Sequence, residues 1–483
     1  MKVKYDYEHT GKLFDHEVKL AIDWLFKVKD EETDGWAWVQ FISPNEQNTA
    51  EVVTALLENS EFLTEKMHKS LAEAIKAWLI NPKRNCKISL DWSWVLMSLQ
   101  HVRDNEKIQE HIDLSQLASS IVQCVDWLIE NQNTDGGWAD IKGDLSSTAR
   151  TSLAVIALCR EFPYSNDTAM KTHLKKALQA GVKWLLDTQH PDGGWGNIRE
   201  KDINRNYQDL INLPYADLRY QCDSNAACTG YAVLALYEDL FDNHTFPIGK
   251  AIKFIKSSQQ GYGGWDVFSE VGIRAKTKYT FRHFSTAWAL KAMLYTKNAD
   301  YTDECVITGI NYLSQLQDPY YGGWKSSLDA DNYTWATCNA LETIKLIKTQ
   351  LAEVKAKQFL QIVCDWWDLR KKDSSFSIRI GKAVFAFNAA TILLFSIVFT
   401  IMMFFVMGQA SNFFAPLFFN AGEKTGKFIN GVMLVLGAFI IGLPWVVFVK
   451  NVFRKNMDSW IESIGWVYGI ITGFLLAYYQ FLM

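Results

Sequence analysis

The segment WLIENQNTDGGW (Trp127–Trp138) carries a phrase that recurs along the chain: an aromatic residue, an aliphatic residue, Gln five places after the aromatic, and a Gly-Gly-Trp ending. Three later segments keep this phrase, namely WLLDTQHPDGGW (Trp184–Trp195), FIKSSQQGYGGW (Phe254–Trp265) and YLSQLQDPYYGGW (Tyr312–Trp324). Two earlier segments keep the aromatic-aliphatic pair but have Lys in place of Gln; they are WLFKVKDEETDGW (Trp24–Trp36) and WLINPK (Trp78–Lys83). The chain therefore contains six related units.

Each unit has room for two helices. The lead aromatics lie 49 to 70 residues apart, and the segment before each Gln has apolar residues at helical spacing, which a Gly-rich turn ends. A run rich in small residues follows, such as SSTARTSLAVIAL from Ser146 and SNAACTGYAVLAL from Ser224. Small side chains let helices approach closely, as the inner helices of a barrel must. The sequence predicts an all-α fold of six helical hairpins over residues 1–372.

The Gln-to-Gly-Gly-Trp phrase resembles the QW motif of squalene-hopene and oxidosqualene cyclases, and a closed double ring of helical hairpins is similar to protein prenyltransferase β subunits. The resemblance runs from about residue 15 to about residue 350, and it implies that the six hairpins close into an (α/α)6 toroid. In the cyclases the Gln and Trp of the motif stack at helix ends. The resemblance therefore implies a structural role for Gln132, Trp138, Gln189, Trp195, Gln259, Trp265, Gln317 and Trp324.

A toroid lined by aromatic rings suits an apolar, flexible isoprenoid, because π faces stabilise a carbocation without reacting with it. The aromatic residues of the second helix in each unit are candidates for the cavity wall, and His283 stands just before one of these helices. The predicted ligand-binding residues are Trp92, Trp94, Tyr231, His283, Trp288 and Trp335.

The resemblance also implies an acid that protonates an alkene or epoxide, from an Asp-x-Asp-Asp run that heads an inner helix before Thr-Ala. The best-matching Thr286-Ala287 has no acidic run before it. The nearest match is Asp329-Ala330-Asp331-Asn332, which predicts Asp331 as the acid and Asp329 as its partner. Two close carboxyls hold a proton at a raised pKa. The alternative is that these residues form a turn or cap a helix.

The composition indicates neither a metal nor nucleic acid. Cys222-Asp223 and His283 are of the types that bind zinc in protein prenyltransferases, but their spacing departs from that pattern, so no metal and no cofactor is expected. The formal net charge of −4 and the lack of a basic block argue against nucleic acid. Eight cysteines without a CxxC pair indicate reduced thiols.

The composition changes near residue 375, and three long apolar runs follow: Phe385–Met407, Ile429–Val449 and Trp466–Met483. Each is long enough for a membrane helix, so a transmembrane domain with three helices is predicted over 373–483. Basic residues precede the first run and follow the second, at Arg370, Lys371, Lys372, Arg379, Lys382, Lys450, Arg454 and Lys455. By the positive-inside rule the toroid faces the cytoplasm. We expect an integral protein of a bacterial inner membrane, with the lipid bilayer as a partner and possible homo-oligomers through the membrane helices.

Two functions remain open at this level. In the first, a membrane-anchored terpenoid cyclase-like protein binds an isoprenoid in the toroid and cyclises it by protonation. In the second, a non-catalytic toroid senses a ligand and controls a transmembrane pore or a membrane-disrupting effector, as in bacterial defence. The missing acidic run before Thr286 and the large share of the chain given to the apolar runs favour the second, but the first stays the leading hypothesis.

Overall fold

The computed structural model of this protein describes residues 14–39, 42–81, 84–165, 167–203, 215–274, 277–300, 303–350, 376–380 and 383–387. At 215–218, at 273–274, at 277 and beyond residue 375, it describes the backbone alone. The chain forms two compact units, Met1–Glu353 and Val354–Met483.

Outer and inner helices alternate along the first unit. The outer helices are α1 (Asp15–Lys27), α3 (Glu65–Ala74, continued by the π-helical turn Ile75–Leu79), α6 (Leu114–Glu130), α8 (Thr168–Thr188), α11 (Thr245–Ser257) and α13 (Glu304–Gln315). The inner helices are α2 (Glu46–Glu58), α4 (Ser89–Arg103), α7 (Thr148–Glu161), α10 (Ala226–Glu238), α12 (Ser285–Tyr295) and α14, described over 334–350. Short helices α5 (Glu106–Gln109) and α9 (Tyr215–Cys222) lie in the connections, as do the 3-10 turns Ser60–Phe62, Phe162–Tyr164 and Glu200–Asp202.

Burial explains why the two sets of helices differ in composition. Outer helix α6 buries one stripe, which includes Leu117, Ile121, Val125 and Leu128, and its other face is in solvent. Inner helix α12 buries every residue from Ser285 to Leu294. An inner helix lies between the outer ring and the interior, so apolar and small residues occupy all of its faces. Consecutive inner helices from α2 to α12 pack against one another.

The Gln and Trp of each phrase fasten the turn between an outer and an inner helix. Gln132 Nε2 donates to Gly136 O at 2.7 Å and to Ala177 O of α8 at 2.9 Å. The Trp138 indole donates to Leu128 O at 2.7 Å. The same contacts recur at Gln189, Trp195, Gln259, Trp265, Gln317 and Trp324. Each Gln therefore ties its own turn to the next outer helix, and each Trp ties the turn back to the preceding one.

The first glycine of each Gly-Gly-Trp turn adopts the left-handed conformation. Gly136 has φ 90°, and a Cβ at that position would lie 2.8 Å from Ala180 O of the next outer helix. Gly193, Gly263 and Gly322 share both features. Glycine is required here by the backbone angle and by the close approach of the neighbouring helix.

The first two of the six repeats have lysine where the other four have glutamine. Lys29 Nζ donates to Ser70 O of α3 at 3.1 Å and to Ser70 Oγ at 2.8 Å, and it pairs with Asp34 at 2.5 Å. The link from turn to next outer helix is thus kept. Lys83, the corresponding residue of the second repeat, lies outside the described residues.

The sixth repeat contacts the first repeat and closes the ring. Gln317 Nε2 donates to Glu17 O of α1 at 2.9 Å, and Thr334 N donates to Trp38 O at 3.2 Å. Lys348 pairs with Asp15 at 2.7 Å. The first compact unit is therefore a closed, mostly helical toroid of six hairpins.

An antiparallel hairpin interrupts the helical pattern, which the all-α prediction did not include. Strands β1 (Phe268–Arg274) and β2 (Thr277–His283) pair from Phe268 opposite His283 to Arg274 opposite Thr277. The segment alternates β-branched or aromatic residues with polar ones, a strand pattern that the helical repeat obscured. The hairpin connects the Gly-Gly-Trp turn of the fifth repeat, Gly263–Trp265, to α12.

The second compact unit, Val354–Met483, contains a short hairpin of strands β3 (Phe376–Ile380) and β4 (Ala383–Phe387). The first predicted membrane run, Phe385–Met407, begins within β4, so its first three residues are extended rather than helical. The rest of that run and the two later runs lie outside the described residues. Within the described residues, no helix combines the length and the apolar character needed to cross a bilayer.

Candidate functional site

One polar stripe of α2 lines the interior of the ring. Gln47, Glu51, Thr54 and Glu58 follow one another at helical spacing, so they share a face. Gln47 and Glu51 border a small chamber, whereas Thr54 and Glu58 border a large one. The interior is therefore divided along the length of the inner helices.

The large chamber has a volume of about 390 Å³, which lies within the range of small-molecule sites. Its apolar wall consists of Trp94, Met97, Leu153, Ile156, Leu234, Trp288 and Leu346. Its polar residues are Thr54, Glu58, Arg160, Glu238, Lys291, Tyr295, Glu342, Lys345 and Thr349, most of which lie toward the C-terminal ends of the inner helices. The chamber therefore offers an apolar pocket with a polar end.

The small chamber lies toward the N-terminal ends of the inner helices and has only about 10 Å³ of free space, which is room for about one water molecule. Glu51, Tyr231, Phe281, His283 and Trp335 are among the residues around it. Side chains thus fill this end of the ring.

Three residues border both chambers: Trp94, Leu153 and Trp288. The Trp288 ring lies 3.8 Å, centroid to centroid, from the Tyr231 ring, and Lys291 Nζ lies 3.5 Å from the Trp288 ring centroid. Trp94, Leu153 and Trp288 form the partition between the chambers, which we call the indole wall.

Two carboxyls of the α2 stripe hold a proton near neutral pH. Burial raises the pKa of Glu51 to about 8, and the Gln47 amide donates to its Oε1 at 2.8 Å. Burial, with the nearby negative charge of Glu342, also raises the pKa of Glu58 to about 8. His101 Nε2 lies 3.6 Å from Glu58, but burial and Arg160 lower the pKa of His101 to about 4, so this imidazole is neutral. Glu58 is thus a protonated carboxyl at the large chamber.

The other charges at the large chamber are paired. Lys291 Nζ donates to Glu342 Oε2 at 2.8 Å and to Asn339 Oδ1 at 2.9 Å. Arg160 Nη2 donates to Glu238 Oε1 at 3.2 Å. Paired charges are stable at a partly buried site because each satisfies the other.

A buried ionic network anchors the hairpin beside the small chamber. Arg150 Nε donates to Asp140 at 2.9 Å and its Nη1 to Glu270 Oε2 at 2.6 Å, while the Tyr279 hydroxyl and His283 Nε2 lie 2.8 Å from Glu270. Burial alone would raise the pKa of Glu270, but Arg150 and His283 outweigh it and lower the pKa below its usual range. Burial lowers the pKa of His283. Glu270 is therefore a carboxylate and His283 a neutral imidazole.

Five of the six predicted ligand-binding residues surround the small chamber and the indole wall: Trp94, Tyr231, His283, Trp288 and Trp335. Trp92 points instead toward the outer ring, where it stacks on Trp127 of α6 at 5.3 Å. Only Trp94 and Trp288 of this set reach the large chamber. Residues two apart on a helix lie on nearly opposite sides of its axis, which separates Trp92 from Trp94.

The structure places Asp329 and Asp331 on the surface, away from both chambers. The Ser327 hydroxyl donates to Asp329 at 2.7 Å and lowers the pKa of that carboxyl. The carboxyls that border the chambers and whose pKa burial raises are those of Glu51 and Glu58.

Sequence reasoning missed Glu51, Glu58, Arg150 and Glu270. The available signal was a charged residue inside a run that is otherwise small and apolar on every face, as in NTAEVVTALL from Asn48 and SSTARTSLAVIAL from Ser146. Among the described residues, no group of three or more His, Cys, Asp or Glu side chains is arranged to hold a metal ion.

Residues 150–332 match the family model of the squalene-hopene cyclase C-terminal domain. The toroid is terpenoid cyclase-like. The chain is 22% identical over 350 residues to enfumafungin synthase of Hormonema carpetanum, covering 64% of this chain and 23% of that protein. It is 29% identical over 174 residues to a squalene-hopene cyclase of Schizosaccharomyces japonicus, covering 35% of this chain and 24% of that protein.

The matched part spans about a quarter of the length of these two relatives. Among solved structures, a D-mannose isomerase matches with a TM-score of 0.51 at 13% identity, covering 70% of this chain and 98% of that one. That likeness concerns the fold of the terpenoid cyclase-like toroid alone.

Proposed function

We propose that the terpenoid cyclase-like toroid binds an apolar isoprenoid in the large chamber. The observation that carries this proposal is the chamber itself, about 390 Å³ bounded by Trp94, Met97, Ile156, Leu234 and other apolar side chains. Burying apolar ligand surface there is favourable by about 25 cal/mol per Å². The polar groups at the other end suit a ligand that has one polar end.

A second candidate function, proton-initiated cyclisation, is favoured by Glu58. Its carboxyl borders the large chamber and carries a proton at pH 7, because its pKa is raised to about 8. Proton transfer from Glu58 to a ligand oxygen or alkene carbon leaves a carboxylate and a cation, and ring closure ends when a proton leaves the product. The π faces of Trp94 and Trp288 stabilise the cation.

The pKa also indicates the substrate that such an acid would suit. A carboxyl with a pKa of about 8 is a weak acid, and an epoxide oxygen accepts a proton far more readily than an alkene carbon does. An oxygenated isoprenoid therefore fits Glu58 better than a hydrocarbon does. The aspartates that the sequence favoured, Asp329 and Asp331, are the competing proposal for the acid.

The apolar runs after residue 384 support a further proposal, that the chain is held in a bilayer with the toroid on the cytoplasmic side and associates through these runs. Protease accessibility in sealed inner-membrane vesicles tests this orientation. Cleavage of the toroid in right-side-out vesicles would overturn it.

Binding is tested with the full chain in detergent, titrated with farnesol and followed by tryptophan fluorescence. Leu234→Trp fills the large chamber, and we expect affinity to fall by on the order of tenfold or more. The matched control is Leu240→Trp, because Leu240 is half-exposed on the surface. Absence of binding by the wild type, or equal binding by the two variants, would contradict the proposal.

Turnover is tested separately with an epoxidised prenyl chain and product analysis. Under the Glu58 hypothesis Glu58→Gln abolishes cyclisation, while Asp329→Asn and Asp331→Asn retain it. Loss of turnover only in the aspartate variants would move the acid to the surface pair. Binding without turnover in the wild type would leave the toroid as a ligand receptor.

A further inference from the structure

We propose that Trp94 and Trp288 determine the length of the isoprenoid chain that the large chamber accepts. This inference rests on the proposed binding function. It concerns the indole wall, because both indoles border the large chamber on one side and the small chamber on the other.

The space on each side of the wall sets the limit. The large chamber has about 390 Å³ and the small chamber only about 10 Å³. A chain that reaches the wall therefore meets a filled region and extends no further. Leu153 is the third residue that borders both chambers.

Contacts on the Trp288 ring hold the wall closed. Tyr231 packs against the ring at 3.8 Å, and Lys291 Nζ lies 3.5 Å from its centroid. Lys291 is itself fixed by Glu342 and Asn339. Trp94 and Trp288 are 5% and 4% exposed, so both indoles are packed among neighbouring side chains.

Removing an indole joins the large chamber to the space that the ring occupied. The surroundings of a deleted core side chain collapse only in part, so the void remains open to a ligand. The residues beyond the wall include Tyr231, Phe281 and Trp335, whose rings offer an apolar surface to a longer chain. The structure thus links the loss of one side chain to a change in ligand length.

The test compares the full-length wild type with Trp94→Ala and Trp288→Ala in titrations with geraniol, farnesol and geranylgeraniol. We expect each variant to shift the affinity ratio toward the longer alcohol by on the order of tenfold, because an added isoprene unit becomes buried. The control is Trp127→Ala, which removes an equal ring from outer helix α6 and should leave the ratio unchanged.

Melting curves show which variants fold. If an alanine variant does not fold, Trp94→Phe and Trp288→Phe decide, with a smaller shift in the same direction. A wild type that binds none of the alcohols overturns the proposed function. A wild type that binds farnesol, with the same ratio in every folded variant, overturns the length inference alone.

Discussion

Arg150 of α7 and Glu270 of β1 lie 120 residues apart in sequence, and their side chains meet at 2.6 Å in the buried part of the toroid. Arg150 also holds Asp140, and Glu270 also holds His283 and Tyr279. One guanidinium therefore joins an inner helix, the segment after the Gly-Gly-Trp turn of the third repeat, and the hairpin.

Glu270→Gln is expected to lower the free energy of unfolding by about 3 kcal/mol, because removing one charge of a buried pair leaves the other uncompensated. Chemical denaturation of the full chain measures this change. Glu110→Gln, at an exposed position, is the control and should leave stability unchanged. Equal stability of the two variants would show that Asp140 alone satisfies Arg150.

Gln317→Ala is expected to open the contact that closes the ring. The variant loses the bonds to Glu17 O and Gly322 O, each with a net value of about 1 kcal/mol. Hydrogen exchange should rise in α1, as measured by mass spectrometry. Gln132→Ala removes the same two kinds of bond within the ring and should raise exchange in α8. Faster exchange in α1 for both variants would contradict this assignment.

Glu51 and Glu58 should each make the free energy of unfolding fall as pH rises, whereas His101, whose pKa burial lowers from 6.5 to about 4, contributes the opposite slope between those two values. Burial raises the pKa of each from 4.5 to about 8, so the folded chain binds more protons than the unfolded chain between these values. Each group therefore contributes a slope of at most about −1.4 kcal/mol per pH unit to the free energy of unfolding.

Urea unfolding between pH of about 5 and about 8 measures this slope. Glu51→Gln should reduce it by half of the carboxyl contribution, and the double variant with Glu58→Gln should remove that contribution. Glu110→Gln again serves as the control. An unchanged slope in Glu51→Gln would mean that this carboxyl is ionised in the folded chain.

Gly193→Ala and Gly143→Ala separate two costs of a left-handed glycine. Both glycines have nearly equal φ, 93° and 96°, but a Cβ at 193 would lie 2.6 Å from Lys250 O, whereas a Cβ at 143 meets nothing within 4 Å. We expect Gly143→Ala to destabilise by about 1 kcal/mol and Gly193→Ala by about 3 kcal/mol. Thermal denaturation compares them. Similar losses would show that α11 yields to the methyl group.

The repeated phrase predicted the helical ring well because its residues act locally. Gln132 and Trp138 reach backbone atoms that their spacing brings near, and the unit count follows from their repetition. The hairpin at Phe268 was missed because its alternating pattern lies within a helical repeat.

The residues that border the chambers were harder to predict, because the direction in which each side chain leaves its helix decides whether it reaches a chamber. Trp92 and Trp94 are two residues apart on one helix, yet only Trp94 borders a chamber. Asp331 has the right chemistry in a partial motif but lies in solvent. Glu51 and Glu58 carry no motif, and their raised pKa values come from burial by helices distant in sequence.

The contact of Lys29 with Ser70 O has a consequence for finding rings of this kind in other genomes. The junction requires a side chain that donates a hydrogen bond and is long enough to reach the main chain of the neighbouring repeat, whether it ends in an amide or an ammonium group. Sequence searches that require glutamine at this position would miss some repeats, and a closed toroid would then be interpreted as an incomplete one.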